Sequence, residues 1–168
     1  MATKQKKAFL DSQFQGKDQL AQTPVEVMVK LVSEFGLLND VCPPNFTRDM
    51  LINDWESVNY MNPPYNNIPK WLNKAIEQWK MNKTVVALLP ARTNSGWFHQ
   101  LILPYASEIR FIRNGIKFKG YAKKSPFPLC LVIYKAEDAK ESEEERDVKI
   151  GSVDFYPTKK RKKINNKS

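Results

Sequence analysis

The run Thr84-Val85-Val86-Ala87-Leu88-Leu89 constrains the fold more than any other stretch of the chain. A short, unbroken apolar run rich in β-branched residues reads as a strand covered on both faces, because a half-solvated strand would alternate with polar residues. The residues just before it read as a helix. Ile68, Leu72, Ala75, Ile76 and Trp79 fall on one stripe, Pro69 lies in the first turn, and Lys70, Lys74, Glu77 and Lys80 lie off the stripe, where solvent is expected. A helix that delivers the chain to a doubly covered strand is the repeating unit of an α/β fold with a mostly parallel sheet and helices on both faces.

The remaining segments extend that alternation. Thr23 is expected to cap a helix, with Pro24 at its first position and Glu26 three residues after the cap; Val27, Leu31, Val32 and Phe35 share its apolar face and Gly36 ends it. Leu37–Cys42 reads as a short strand stopped by Pro43-Pro44, and Ser57–Met61 as another that runs into Asn62-Pro63-Pro64-Tyr65. Ser95–Leu103 looks helical. Ile109–Ile112, Ile116–Phe118 and Leu129–Tyr134 look like strands, with Asn114-Gly115 suited to a tight hairpin turn. The ordered domain is expected over residues 21–136. Residues 1–20 have few apolar anchors and read as a loose arm. Residues 137–168 read as a disordered charged tail, with seven acidic residues in Glu137–Asp147 and the basic run Lys159–Lys163.

Charge narrows the partner. The net charge is +9, and residues 1–136 hold 18 basic against 10 acidic residues, so the excess belongs to the domain and not only to the tail. Such a surplus favours a polyanion. It concentrates in Arg110–Lys124, where Arg110, Arg113, Lys117, Lys119, Lys123 and Lys124 occur without an acid and alternate with Phe111, Phe118 and Tyr121. This pattern suits a strand pair that grips phosphates, the reading a positively charged domain favours, over a solvated strand face with core aromatics behind it. The tail's basic run is compatible with import into a host nucleus or with nonspecific DNA binding. No apolar run reaches eighteen residues and the N-terminus is polar, so neither a membrane partner nor a secretion signal is expected, and an intracellular protein is. Two distant cysteines and a single histidine, His99, argue against a disulfide framework and a metal site. His99 itself reads as a packing or hydrogen-bonding residue.

The chemistry points to Asn62-Pro63-Pro64-Tyr65, expected at the carboxyl end of a strand, where ligands sit in open α/β sheets. The lone pair of an adenine amine is delocalised into the ring. A side-chain amide oxygen and a backbone carbonyl can accept its two hydrogens and favour the pyramidal amine that attacks an electrophilic methyl group. Two prolines stiffen the turn that presents this carbonyl, and Tyr65 can stack on a base that has left its duplex. The same residue types also make an ordinary strand-ending turn.

Several blocks in order carry a family resemblance. Gln22-Thr23-Pro24 opens the first helix, Asp40-Val41-Cys42 ends the first strand, and Asp54-Trp55 precedes Asn62-Pro63-Pro64-Tyr65. Ile68-Pro69-Lys70-Trp71 begins the next helix, and Leu88-Leu89-Pro90-Ala91-Arg92-Thr93 is followed by Trp97-Phe98-His99. From Gln22 to Tyr134 the chain resembles the phage-type, Dam-like DNA N6-adenine methyltransferases of phages and other mobile elements. The resemblance implies a Rossmann-like methyltransferase fold, S-adenosylmethionine as donor and double-stranded DNA as substrate. It implies that Asn62, Pro63 and Tyr65 hold the target adenine, and with Pro64 they are the catalytic candidates. Asp40, Cys42, Thr23 and Pro24 are then the candidates beside the donor, and Arg92 joins the basic segment on the DNA. The chain departs from the family in two places. Only Pro43–Asn53 separates the first strand end from Asp54-Trp55, which leaves room for a short donor-pocket strand or none, and Asn114-Gly115 stands where a Gly-Arg pair is usual. Other outcomes of the same turn are a methyltransferase of RNA or of a protein amide, or a catalytically silent DNA-binding or assembly protein. Self-association or a partner subunit is compatible with each.

Overall fold

The computed structural model describes residues 22–43, 49–140 and 147–156. Among the described residues six strands form one sheet: β1 (Asn39–Asp40), β2 (Val58–Met61), β3 (Thr84–Pro90), β4 (Glu108–Ile112), β5 (Leu129–Tyr134) and β6 (Lys149–Val153), in the order β1-β2-β3-β5-β4-β6. β1, β2 and β3 run parallel, β5 runs antiparallel to both of its neighbours, and β6 runs parallel to β4. The sheet is therefore mixed, which corrects the expectation of a mostly parallel one. The reason is the link from β4 to β5. It holds no crossover helix, so the chain must re-enter the sheet at the end where it left, and that makes an antiparallel pair.

Helix α1 (Val25–Phe35) packs on one face, while α2 (Ile68–Lys80) and a π-helical turn (Phe98–Ile102) cover the other. The β3 run divides as a doubly covered strand should. Val85, Ala87 and Leu89 join Cys130, Val132 and Tyr134 under α2, and Val86 and Leu88 join Leu131 and Ile133 under α1. Fully burying one such side chain stabilises the fold by about 1.5–3 kcal/mol, so this strand is the mechanical centre of the domain. Trp79 locks α2 down with its indole nitrogen, which donates to the Lys135 carbonyl at 2.8 Å.

Five local expectations change. Thr23 makes no capping bond; Pro24 occupies the cap position, and the Thr23 hydroxyl pairs at 2.6 Å with the phenol of Tyr60 instead. Val32 is 41% exposed, so the buried stripe of α1 narrows to Val27 and Leu31, with Phe35 half-buried. Lys74 is buried, its stem along the helix and its amine on Glu77 at 2.6 Å. Ile116–Phe118 joins no ladder. Ile116 and Phe118 are buried and Lys117 exposed; among the described residues the segment has an isolated bridge from Lys119 to Gln22 and a bond from the Ser125 amide to the Ile116 carbonyl at 2.8 Å. The Asn114-Gly115 turn does form, with both residues at φ +64°, a conformation that Asn and Gly tolerate best. The largest change is in the charged tail. Residues 149–153 form β6 along the outer edge of β4, and Phe155 is buried under α1, so the ordered region runs past residue 136. The expected loose arm and the basic run Lys159–Lys163 lie outside the described residues.

An ion cluster ties α1 to the sheet. Arg110 on β4 meets Glu34 of α1 at 2.7 and 2.5 Å and Glu108 at 2.7 and 3.0 Å, with its guanidinium 5.9 Å from the centre of the Phe35 ring. The Arg110 bonds hold both carboxyls below the usual carboxylate range. A carboxylate with a depressed folded pKa stabilises the fold above its unfolded pKa, and that contribution disappears as pH falls through the folded value. Urea stability is expected to drop between about pH 5 and pH 3, and the drop is expected to be shallower in Glu34→Gln. Identical pH profiles for the two proteins would show that the pair with α1 contributes nothing.

Candidate active site

Three adjacent parallel strands end at one edge of the sheet, and each delivers a segment with chemical potential there. β1 ends at Asp40, β2 at Met61 before Asn62-Pro63-Pro64-Tyr65, and β3 at Pro90 before Ala91-Arg92. The pairing Asp40↔Tyr60 and Met61↔Ala87 sets the three ends side by side. Asp40 accepts a bond from the Cys42 amide at 2.9 Å, which turns the chain as it leaves β1. Burial raises the Asp40 pKa, against the lowering effect of that amide. Burial also pushes the Cys42 thiol up, while the Asn62 backbone lowers it, so Cys42 touches the start of the catalytic candidate turn. Neither property suits Cys42 as a nucleophile.

The turn is organised by its own backbone. The Asn67 amide donates to the Pro64 carbonyl at 3.1 Å and leads directly into α2 at Ile68. Pro63 is buried, and Asn62 is half-buried. Tyr65 points its hydroxyl inward, where it finds no hydrogen-bond partner among the described residues, and its ring meets the edge of Phe127 at 5.8 Å and 68°. Burial raises its pKa, the Cys130 thiol adds to that, and the nearby Arg92 charge opposes it, so Arg92 shares the turn's surroundings while its own side chain stays exposed. Arg92 is held by its main chain: its carbonyl accepts from the Ser95 amide at 3.0 Å and from the Ser95 hydroxyl at 2.7 Å. His99 bonds the Thr93 carbonyl at 2.7 Å, which makes it a loop-bracing residue.

The strand directions bring the basic segment to the same edge. β4 runs in the sense of β3, since each is antiparallel to β5, so the chain leaves β4 at the end where β3 stops. Arg113, Lys117, Lys119, Lys123 and Lys124 are all exposed on the link that follows, and that link returns past Phe127 to Tyr65. A bond from the Ala91 amide to the Pro128 carbonyl at 2.9 Å closes this edge. Arg110 is different. Its guanidinium is committed to Glu34 and Glu108, and its side chain is only 16% exposed. It is therefore a structural ion-pair residue and not part of the basic surface. Thr23 and Pro24 likewise face inward, Thr23 through Tyr60 and Pro24 by burial. Sequence reasoning missed Phe127 as the neighbour of Tyr65, Tyr60 as the partner of Thr23, and β6. The only forewarning of β6 was the apolar spacing Ile150, Val153, Phe155 inside a charged region.

In open α/β sheets ligands bind outside the carboxyl ends of the parallel strands, which is where these loops lie. The family model of the DNA N-6-adenine-methyltransferases (Dam) matches residues 12–155, and the chain belongs to that family. No curated protein and no solved structure matches it. The mixed sheet with helices on both faces is compatible with a methyltransferase-like fold. No described helix is long and apolar enough to cross a membrane.

The family implies S-adenosylmethionine as methyl donor. Asp40 fits such a ligand at one point. It lies at the end of the first strand, partly desolvated, and only one of its carboxylate oxygens has a bond among the described residues. An acceptor of this kind suits a hydroxyl or amine donor. Among the described residues β1 is the last strand on that side of the sheet.

Proposed function

We propose that the protein methylates the N6 amine of adenine in DNA with S-adenosylmethionine as donor, on the Rossmann-like variant of the α/β fold. The observation that carries this reading is the placement of Asn62-Pro63-Pro64-Tyr65 at the end of β2, between Asp40 on β1 and Arg92 after β3. The Asn62 side-chain oxygen accepts one hydrogen of the target amine. The Pro63 carbonyl, at the same turn, accepts the other, while the Pro64 carbonyl accepts the Asn67 amide that leads into α2. Together they orient the nitrogen lone pair toward the donor side of the cleft. When bound, the donor supplies an electrophilic methyl carbon. Asp40, with the Cys42 segment beside it, is the candidate to hold the donor's polar groups, and Thr23 and Pro24 back this wall through Tyr60 without touching it.

The target adenine must leave the duplex to reach such a turn, and Tyr65 is the surface on which it stacks. Arg113, Lys117, Lys119, Lys123 and Lys124 hold the flanking phosphates, together with Arg92. The test is transfer of a labelled methyl group offered DNA, RNA and protein in parallel. Label is expected in DNA, at N6 of adenine. Label in RNA or in glutamine amides would keep the fold and change the substrate. No transfer, with no calorimetric binding of S-adenosylmethionine, would favour a silent DNA-binding protein, for which the short Pro43–Asn53 segment is the supporting feature.

A further inference from the structure

We infer that the hydroxyl pair of Thr23 and Tyr60 positions the turn Asn62-Pro63-Pro64-Tyr65 relative to the basic link Arg113–Lys124, which makes both of them positioning residues for methyl transfer; this rests on the DNA reading above. Tyr60 takes no part in the chemistry proposed for Asn62, yet it stands two residues before it on β2, and its carbonyl accepts the Val41 amide at 3.0 Å beside Asp40. Its ring is buried on the α1 side of the sheet with Val27, Leu31, Val86 and Leu88. Burial raises the pKa of the phenol, the Thr23 bond opposes that, and Tyr65, Asp40 and Cys42 add to it. The hydroxyl therefore lies within electrostatic reach of both the base side and the donor side of the cleft.

Thr23 carries the connection outward. Its hydroxyl meets the phenol at 2.6 Å, and its neighbour Gln22 forms an antiparallel bridge with Lys119, whose amide donates to the Gln22 carbonyl at 3.1 Å. On the other side the Pro24 carbonyl accepts the Val27 and Met28 amides at 3.1 and 3.2 Å, which ties the same segment to the start of α1. Ile116 and Phe118 of the link enter the buried cluster that holds Tyr60, and Lys117 and Lys119 stay exposed. The lysines proposed to hold phosphates and the strand that presents Asn62 are thus joined through one hydroxyl pair and one buried cluster. A buried phenol that loses its partner is left unsatisfied, and a shift of its strand relieves it. Moving a reacting group by about 1 Å can cost about 100-fold in rate, so such a joint is read in kcat.

The experiment compares Thr23→Val, Thr23→Ser, Tyr60→Phe and the double variant Thr23→Val with Tyr60→Phe, each in the full chain. It measures kcat, KM for DNA and for S-adenosylmethionine, the salt slope of DNA binding and a urea melt. Thr23→Val is expected to lower kcat by about 10- to 100-fold, with both KM values and the salt slope unchanged. Thr23→Ser, which keeps the hydroxyl, is expected to recover most of the rate. The double variant is expected to be no slower than the slower single one, because only one bond is lost. A parent-like kcat in Thr23→Val overturns the inference, and a loss confined to the melt makes the pair structural only. A raised KM for S-adenosylmethionine in Thr23→Val puts Thr23 on the donor, and weaker DNA binding puts it on the duplex; either result overturns the inference and leaves the DNA reading standing. If Tyr60→Phe does not fold, the two Thr23 variants decide. A parent chain that transfers no methyl group to DNA overturns both.

Discussion

Replacing Asn62 with alanine is expected to lower methyl transfer to DNA by at least about 100-fold, roughly 2.7 kcal/mol of barrier. The side chain removed is the acceptor proposed for the reacting amine, and its effect is confined to the step in which that nitrogen develops charge. The main chain at Asn62, which meets Cys42, is unchanged, and the prolines that shape the turn remain. DNA affinity is expected to stay within about twofold, because phosphate contacts dominate it. The measurement is kcat and KM on DNA, with a urea melt as the folding control. A variant with activity within about tenfold of the parent and normal stability would remove Asn62 from the chemistry.

Tyr65 gives the second large effect, and its two substitutions are expected to diverge. Tyr65→Phe deletes a buried hydroxyl without a partner and keeps the ring against Phe127. An unsatisfied buried polar group costs about 1–3 kcal/mol, so this variant is expected to be about 1 kcal/mol more stable while still methylating DNA. Tyr65→Ala removes both the ring packed against Phe127 and the stacking face, worth about 1–3 kcal/mol per base, or roughly 5- to 150-fold in base capture. A duplex with 2-aminopurine at the target position reports whether the base leaves the stack. Because a stacked phenol can quench the probe, the Ala variant is read beside the parent at saturation. Equal fluorescence in both, matching a duplex with the probe outside the site, would argue against a flipped base. A less stable Phe variant would show that the hydroxyl is satisfied after all.

What the sequence determined by itself is local, and each part has a short-range cause. The run at Thr84–Leu89 became a strand covered on both faces because it is short, apolar throughout and rich in β-branched residues. The stripe from Ile68 to Trp79 became α2, and the breakers Gly36 and Pro43 limited α1 and β1 as local sterics require. Asn62-Pro63-Pro64-Tyr65 was legible as a strand end for the same reason, since two prolines cannot continue a ladder.

Tertiary structure decided everything that depends on partners distant in sequence. The direction of β5 followed from a link with no helix, which composition alone does not expose. Arg110 looked like its basic neighbours until Glu34, 76 residues away, was brought onto it. Thr23 had the signature of a cap, but the buried phenol of Tyr60 needed a hydrogen bond more than an exposed helix end did, and it won the hydroxyl. The same logic rescued β6. A strand so polar has too little apolar surface to order itself, and it becomes one because the open edge of β4 offers a row of backbone partners and α1 offers Phe155 a place in the core.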